Sequence, residues 1–267
     1  MSGWDCHAHL FGPYAKFPLA PDRSYTPPEA TRDRYLAHLA RLGLSNGVLV
    51  HPSAYGDDYS LLLDALGACA QLRGVIVTNR ASVAQLEAWR AQGVRAARFS
   101  HRSGAGANFA GSASLDDLRR MAPLLAEAGL HAELWTDCRA LPEVVSSLDG
   151  TPVPVVIDHM GGFDVQASVD DPGFKALLRW LERGGAWVKL CAYRNLPGDT
   201  DPQAGLPFHR LLLEANPRQL VWGSDWPHLR VDPAPSADAL LAMFRLWTSD
   251  ASLEHAILVD NPARLYA

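Results

Sequence analysis

Cysteine is scarce in this sequence. The four residues Cys6, Cys69, Cys138 and Cys191 include no Cys-x-x-Cys pair, which leaves no cysteine zinc site. In a reducing compartment such residues serve as small buried fillers, and Cys6 and Cys191 fall at strands. No apolar run reaches the ~18 residues a membrane span needs. The first residues lack the basic stretch and long apolar core of a signal peptide, so the expected location is the cytosol. There is no basic excess either. Lys and Arg total 24 against 29 Asp and Glu, a formal charge of −5, which is not the footprint of a nucleic-acid or anionic-membrane binder. Low-complexity tracts and linker-like segments are missing, so residues 1–267 read as one domain.

What is present is a repeated unit, a short apolar strand followed by a segment of helical period. Strands are expected at Gly3–His7, Gly47–His51, Gly74–Thr78, Arg95–Phe99, Leu130–Leu134, Val153–Asp158, Ala186–Leu190 and Leu220–Gly223. Most are continuous apolar runs, as in parallel strands buried on both faces. Helices are expected at Thr31–Leu42, Asp58–Ala70, from Ser82 to before Gly93, Leu115–Ala128, Arg139–Ser147, Pro172–Arg183, Leu206–Ala215 and Ser236–Thr248. Ser82 with Gln85, and Ser114, carry N-cap signals. Ala251–Val259 and Asn261–Tyr266 read as terminal helical additions. Eight such units make a (β/α)8 TIM barrel. An open doubly wound sheet would want a Gly-x-Gly-x-x-Gly turn after its first strand, and Asp5–Pro13 has none.

In such barrels the chemistry sits at the carboxyl ends of the strands. Here those ends carry His7 and His9; His51, Ser53 and Tyr55; Thr78 and Asn79; Arg98, Ser100, His101 and Arg102. The later ones carry Glu133 and Trp135; Asp158 and His159; Lys189, Tyr193 and Arg194; and Asp225, Trp226 and His228. Residues i and i+2 of a strand share a face, so His7 and His9 converge on one point, able to hold a divalent cation or polarise one oxygen. His159 reads as a hydrogen-bonded core histidine or a site residue, and Asp225 as a turn former or a catalytic acid. Arg98, inside an apolar run, requires an anion from the protein or from a ligand. Lys189 is expected to pair with an acid. His38, His131, His209 and His255 are taken as structural.

The runs Asp5–Pro13, Phe17–Pro21, Tyr25–Pro28, Pro52–Gly56, Gly93–Phe99, Asp158–Gly161, Trp222–His228 and Asp260–Tyr266 span the chain. Together they resemble the amidohydrolase-superfamily lactonases of the 2-pyrone-4,6-dicarboxylate type. The resemblance implies the same barrel and hydrolysis of a carboxylated lactone, with Asp225 as general base and His7, His9 and His159 around the carbonyl under attack. It implies that Arg98 binds a substrate carboxylate, that Arg194 grips a second, and that Ser53 and Tyr55 contact substrate. Arg102, Trp135 and His228 complete the expected substrate-binding set. The chain departs from common superfamily patterns at two strand ends. Arg98 stands where a metal-bridging lysine is often found, and Trp135 stands in place of a histidine or, in the pyrone lactonases, a tyrosine. A binuclear centre is therefore not expected. Any metal would be one zinc or manganese ion held weakly by His7, His9, His159 and Asp225, and turnover is expected without it.

Several arginines at one rim favour a di-acid lactone as the small-molecule partner over a neutral sugar lactone. A sugar-acid lactonase, a metal-dependent decarboxylase of an aromatic or unsaturated acid on the same barrel, and a non-catalytic binder of an aromatic acid are the alternatives. Neither nucleic acid nor membrane is an expected partner, and homo-oligomerisation is left open.

Overall fold

The computed structural model describes residues 3–103, 111–196, 200–231 and 234–267. Across these residues run eight parallel strands: β1 Trp4–Ala8, β2 Asn46–Val50, β3 Leu72–Ile76, β4 Val94–His101, β5 His131–Thr136, β6 Val155–Ile157, β7 Trp187–Leu190 and β8 Leu220–Trp222. Each pairs with the next in sequence order. Helices pack outside them: α1 Arg32–Leu42, α2 Ser60–Ala68, α3 Val83–Ala91, α4 Leu115–Glu127, α5 Leu141–Leu148, α6 Pro172–Glu182, α7 Leu206–Ala215 and α8 Ala237–Thr248. The expected (β/α)8 barrel is what forms.

The sheet closes between its last and first strands just beyond β8. The Asp225 N–H donates to the His7 carbonyl and the His9 N–H to the Trp226 carbonyl, each at 2.8 Å. Beside this seam the Asp5 carboxylate accepts from the Ser224 N–H at 2.7 Å and the Ser224 hydroxyl at 2.6 Å. A Cβ on Gly223 would lie 2.7 Å from the His7 Cβ, so the close approach of these strands requires glycine there.

Two apolar layers follow from the strand pleat. Leu49, Ile76, Phe99, Leu134, Ile157, Leu190 and Trp222 face the helices. Cys6, Val48, Val50, Val75, Ala96, Val156 and Val221 fill the barrel over a floor of Trp4, Trp187 and Tyr266. Strand periodicity explains this, except in β1. Between Asp5 and Ala8 the strand advances three residues while β2 advances two, a bulge that resets the in–out alternation. Asp5 consequently meets Tyr35 of α1, whereas His7 and His9 stay in phase with each other and face the barrel mouth.

The cap signals at Ser82 and Ser114 form full capping boxes, with Gln85 and Asp117 as reciprocal partners. Thr31 precedes α1 without a side-chain cap bond. The expected terminal helix Ala251–Val259 is instead α9 Ala251–His255 followed by a wider turn, Ala256–Asp260, that feeds α10 Asn261–Tyr266. The expected sixth strand stops early. Asp158–Gly161 turn tightly, with His159 and Met160 in left-handed conformations at φ 50 and 54.

Candidate active site

Asp225 stands at the centre of the carboxyl-end rim, almost fully buried and itself left-handed at φ 58. Strained positions of this kind cost on the order of 1–3 kcal/mol and persist where the surroundings hold them. Here the seam bonds on either side of Asp225 do so. Its Oδ2 accepts from the Tyr193 hydroxyl at 2.7 Å and from the Arg194 guanidinium. Its Oδ1 has no hydrogen-bond partner and lies 3.6 Å from His7 Nε2 and 3.4 Å from His9 Nε2. Burial works to raise its pKa, but Arg194 and then His159 outweigh that and hold the carboxyl well below the usual range.

The histidines approach Asp225 in different hydrogen-bonding states. His9 Nδ1 is 2.8 Å from the Val50 carbonyl and must donate to it. A neutral His9 therefore turns its Nε2 lone pair toward Asp225 Oδ1, an arrangement that calls for a shared proton, a water or a cation. The His7 ring is buried, and desolvation together with the Lys189 charge lowers its pKa to about 4. The His159 ring lies 4.9 Å from that of His7, with its Nδ1 buried and unpartnered. Burial depresses its pKa strongly. The Asn195 amide fixes the His159 main chain by donating to its carbonyl at 2.8 Å.

Below this group lies a buried charge network. Lys189 is fully buried, 2.5 Å from Glu133 and 3.3 Å from Asp158, and Asp158 accepts from Arg98 Nε at 2.8 Å. The expected acid partner of Lys189 is thus two acids, and the anion required by Arg98 is Asp158.

Above Asp225 opens a cavity of about 280 Å³ bordered by His9, His159, Asp225 and four arginines, Arg98, Arg102, Arg194 and Arg230. Arg102 lies over the Trp135 ring at 4.3 Å and Arg230 over Tyr25 at 4.6 Å. Ser53 also lines the cavity. Tyr55 does not, and lines an adjoining open groove of about 660 Å³, its hydroxyl accepting from the Gly12 N–H. His228 is absent from the lining as well. It is buried, donates to the Ser224 carbonyl at 3.2 Å and packs edge-on against Tyr193, so it supports the seam. Neither side chain borders this cavity, because a position one turn from a strand end does not reveal which way the loop side chain points. Arg230, Tyr25 and Asp5 were not anticipated. For Asp5 the signal was available, as an aspartate two residues before a strand-end histidine.

As a metal site the cluster fits chemically. His7 Nε2, His159 Nδ1 and Asp225 Oδ1 are each buried without a hydrogen-bond partner, and these three residues can bring ligand atoms within 4.8 Å of one another. Two imidazoles and a carboxylate suit one zinc or manganese ion. A second grouping of His7, Glu133 and Asp158 is also within that spacing, but the Lys189 ammonium already sits among them.

The amidohydrolase family profile matches residues 4–267. The chain is 35% identical to 4-sulfomuconolactone hydrolase of Rhizobium radiobacter, across 98% of this chain and 89% of that one. It is 33% identical to 2-pyrone-4,6-dicarboxylate hydrolase of Comamonas testosteroni, across 98% and 89%. Among solved structures, a Pseudomonas putida protein described as a candidate 2-pyrone-4,6-dicarboxylic acid hydrolase superposes with a TM-score of 0.84 at 32% identity, covering 99% of this chain and 97% of that one.

Proposed function

Since the chain belongs to the amidohydrolase family, we propose that it is a hydrolase that opens the ring of a lactone carrying two anionic groups. Candidate substrates are 2-pyrone-4,6-dicarboxylate and, given the hydrolase names of its relatives, a sulfonated muconolactone. The observation that carries the proposal is the pairing of one unpartnered Asp225 oxygen with an arginine-rimmed cavity. A di-anion needs more than one guanidinium, and besides Arg98 and Arg194, which also meet Asp158 and Asp225, the cavity offers Arg102 and Arg230, which a neutral lactone would not require.

In the mechanism, Asp225 Oδ1 takes a proton from water as the oxygen attacks the lactone carbonyl. Charge gathers on the carbonyl oxygen and is met by hydrogen bonds from His7 and His159, since the His9 hydrogen is given to Val50, each such donor contributing on the order of 3 kcal/mol. The ring carbon–oxygen bond then breaks, and the proton held by Asp225 returns to the leaving oxygen. A carboxylate held by Arg194 is a weak base. When a substrate anion draws Arg194 toward itself, Asp225 loses its strongest stabilising charge and gains basicity. A divalent cation, held by His7, His159 and Asp225, would polarise the lactone carbonyl. The same reading keeps the protein in the cytosol with a small anionic lactone as its partner.

A panel of mono-anionic, di-anionic and neutral lactones, followed by ring absorbance and acid release, tests the proposal. The expected result is ring opening confined to the di-anions, with acid release matching turnover. Carbon dioxide release from an acid that is not a lactone would assign a decarboxylase instead.

A further inference from the structure

We propose that Lys189 is a positioning residue that fixes which nitrogen of His7 carries the hydrogen, making His7 the hydrogen-bond donor of the cluster and opposing divalent-cation binding there. The observation is an ammonium enclosed in the barrel centre. Lys189 Nζ donates to Glu133 Oε2 at 2.5 Å and to His7 Nδ1 at 3.2 Å, and Asp158 Oδ1 completes its surroundings as an ion-pair contact at 3.3 Å. Lys189 is fully buried, and an ammonium without water needs all three. The two carboxylates are themselves anchored on their other oxygens, Glu133 by the Tyr266 hydroxyl at 2.8 Å and Asp158 by Arg98 at 2.8 Å. The ammonium therefore has nowhere else to turn.

An ammonium only donates, so a ring nitrogen facing it must accept. His7 Nδ1 is also 3.4 Å from Asp158 Oδ1. A hydrogen on Nδ1 pointing there would be long, and it would oppose the ammonium 3.2 Å away. The hydrogen of neutral His7 consequently sits on Nε2, toward Asp225 Oδ1 at 3.6 Å. His9 is its mirror image, with Nδ1 donating to the Val50 carbonyl and Nε2 bare. His7 turns a hydrogen toward that carboxylate oxygen, and His9 turns a lone pair toward it.

This has a consequence for metal binding. A cation on His7 Nε2 requires that nitrogen to lose its hydrogen, and moving the hydrogen to Nδ1 sets it against Lys189. The ammonium thus works against the metal that the three unpartnered ligand atoms would otherwise suit. The proposal uses the lactonase reading only in giving His7 a carbonyl to donate to. Inactivity toward lactones would sink that reading and leave this one standing.

The test begins with chelator-treated wild-type protein carrying nitrogen-15 histidine. Long-range proton–nitrogen spectra are expected to show His7 protonated on Nε2 and His9 on Nδ1. A His7 spectrum with the hydrogen on Nδ1, or on both nitrogens, overturns the proposal. The second arm titrates zinc into wild type and into the charge-balanced double variant Lys189→Met with Glu133→Gln, using calorimetry. Zinc affinity is expected to rise at least tenfold in the variant, and unchanged or weaker affinity overturns the proposal. If that variant does not fold, the wild-type spectrum decides alone.

Discussion

Asp225 presents its two carboxylate oxygens to different partners, one to Tyr193 and Arg194, the other to the histidines and the cavity. Replacing it with Asn keeps the shape and removes the carboxylate that the proposed mechanism uses as base. Turnover is expected to fall at least ~100-fold in a protein that still folds, with a lower melting temperature because Arg194 loses its buried counter-charge. Wild-type turnover in that variant would remove Asp225 from the chemistry. Arg98 and Arg102 separate by what each already touches. Arg102 rests on Trp135, and Arg102→Met should raise KM for a di-anionic lactone at least tenfold while kcat changes by less than about threefold. Arg98 also neutralises Asp158, so Arg98→Met should lose both substrate affinity and stability. Melting curves beside kinetics would expose the difference. At this scale the sequence was informative about residue type and strand end: His7, His9, His159, Asp225 and three of the four cavity arginines were all legible. It was silent about pairing. Nothing along the chain says that Arg98 meets Asp158 or that Arg194 meets Asp225, because those contacts join different strands.

Among the elements, β1 shows how a local rule can give a sound result for an incomplete reason. His7 and His9 do share a face, but the bulge puts Asp5 on the other one, where it ties the strand to Ser224. Unbroken alternation would have sent Asp5 inward. A bulge is not encoded by any one residue, since it depends on how β1 and β2 align. The tolerance of this region for added volume is small. Gly223→Ala would place a methyl 2.7 Å from the His7 Cβ and 3.0 Å from the His7 nitrogen. The expected cost is about 1–3 kcal/mol, with turnover lost beyond what the melting temperature explains, because the seam also sets the His7–Asp225 approach. Helix ends were more readable, as Ser82 and Ser114 show. Ser114→Ala should destabilise by about 1 kcal/mol without touching kinetics, as denaturant unfolding would measure.

For the whole molecule, the buried histidines set the acid limit. His38, His51 and His209 are each shifted down to about 4, in every case chiefly by burial. An unfolded histidine titrates near 6.5. Between about 6.5 and 4 the unfolded chain therefore binds more protons, and the contribution of these groups to stability, intact above pH 6.5, is lost as pH falls through that window. The slope is about 1.4 kcal/mol per pH unit for each proton, reduced for the partly exposed groups. Asp5, raised to about 6 chiefly by burial, opposes the trend, since its protonation on acidification favours the folded state. Unfolding free energy measured by denaturant from pH 7 to 4 should fall with a slope of more than one proton, His7 and His159 acting in the same direction, and a flat profile would show that these rings are hydrated in solution. The barrel itself was legible because each unit repeats the same strand-then-helix pattern and needs only local information.

The seam also governs the order in which the molecule becomes competent. Asp5 and Ser224 are 219 positions apart in the chain, and the histidines of β1 meet Asp225 only when the first strand and the last have found each other. Loop closure over such a span is entropically slow compared with forming one strand–helix unit. During synthesis β1 leaves the ribosome first and waits for nearly the whole chain before it has a partner on that side. A nascent chain arrested after β7 would hold seven strands and no Asp225. Activity should therefore emerge in a single late step, and two co-expressed fragments divided between α4 and β5 should be silent apart and active together.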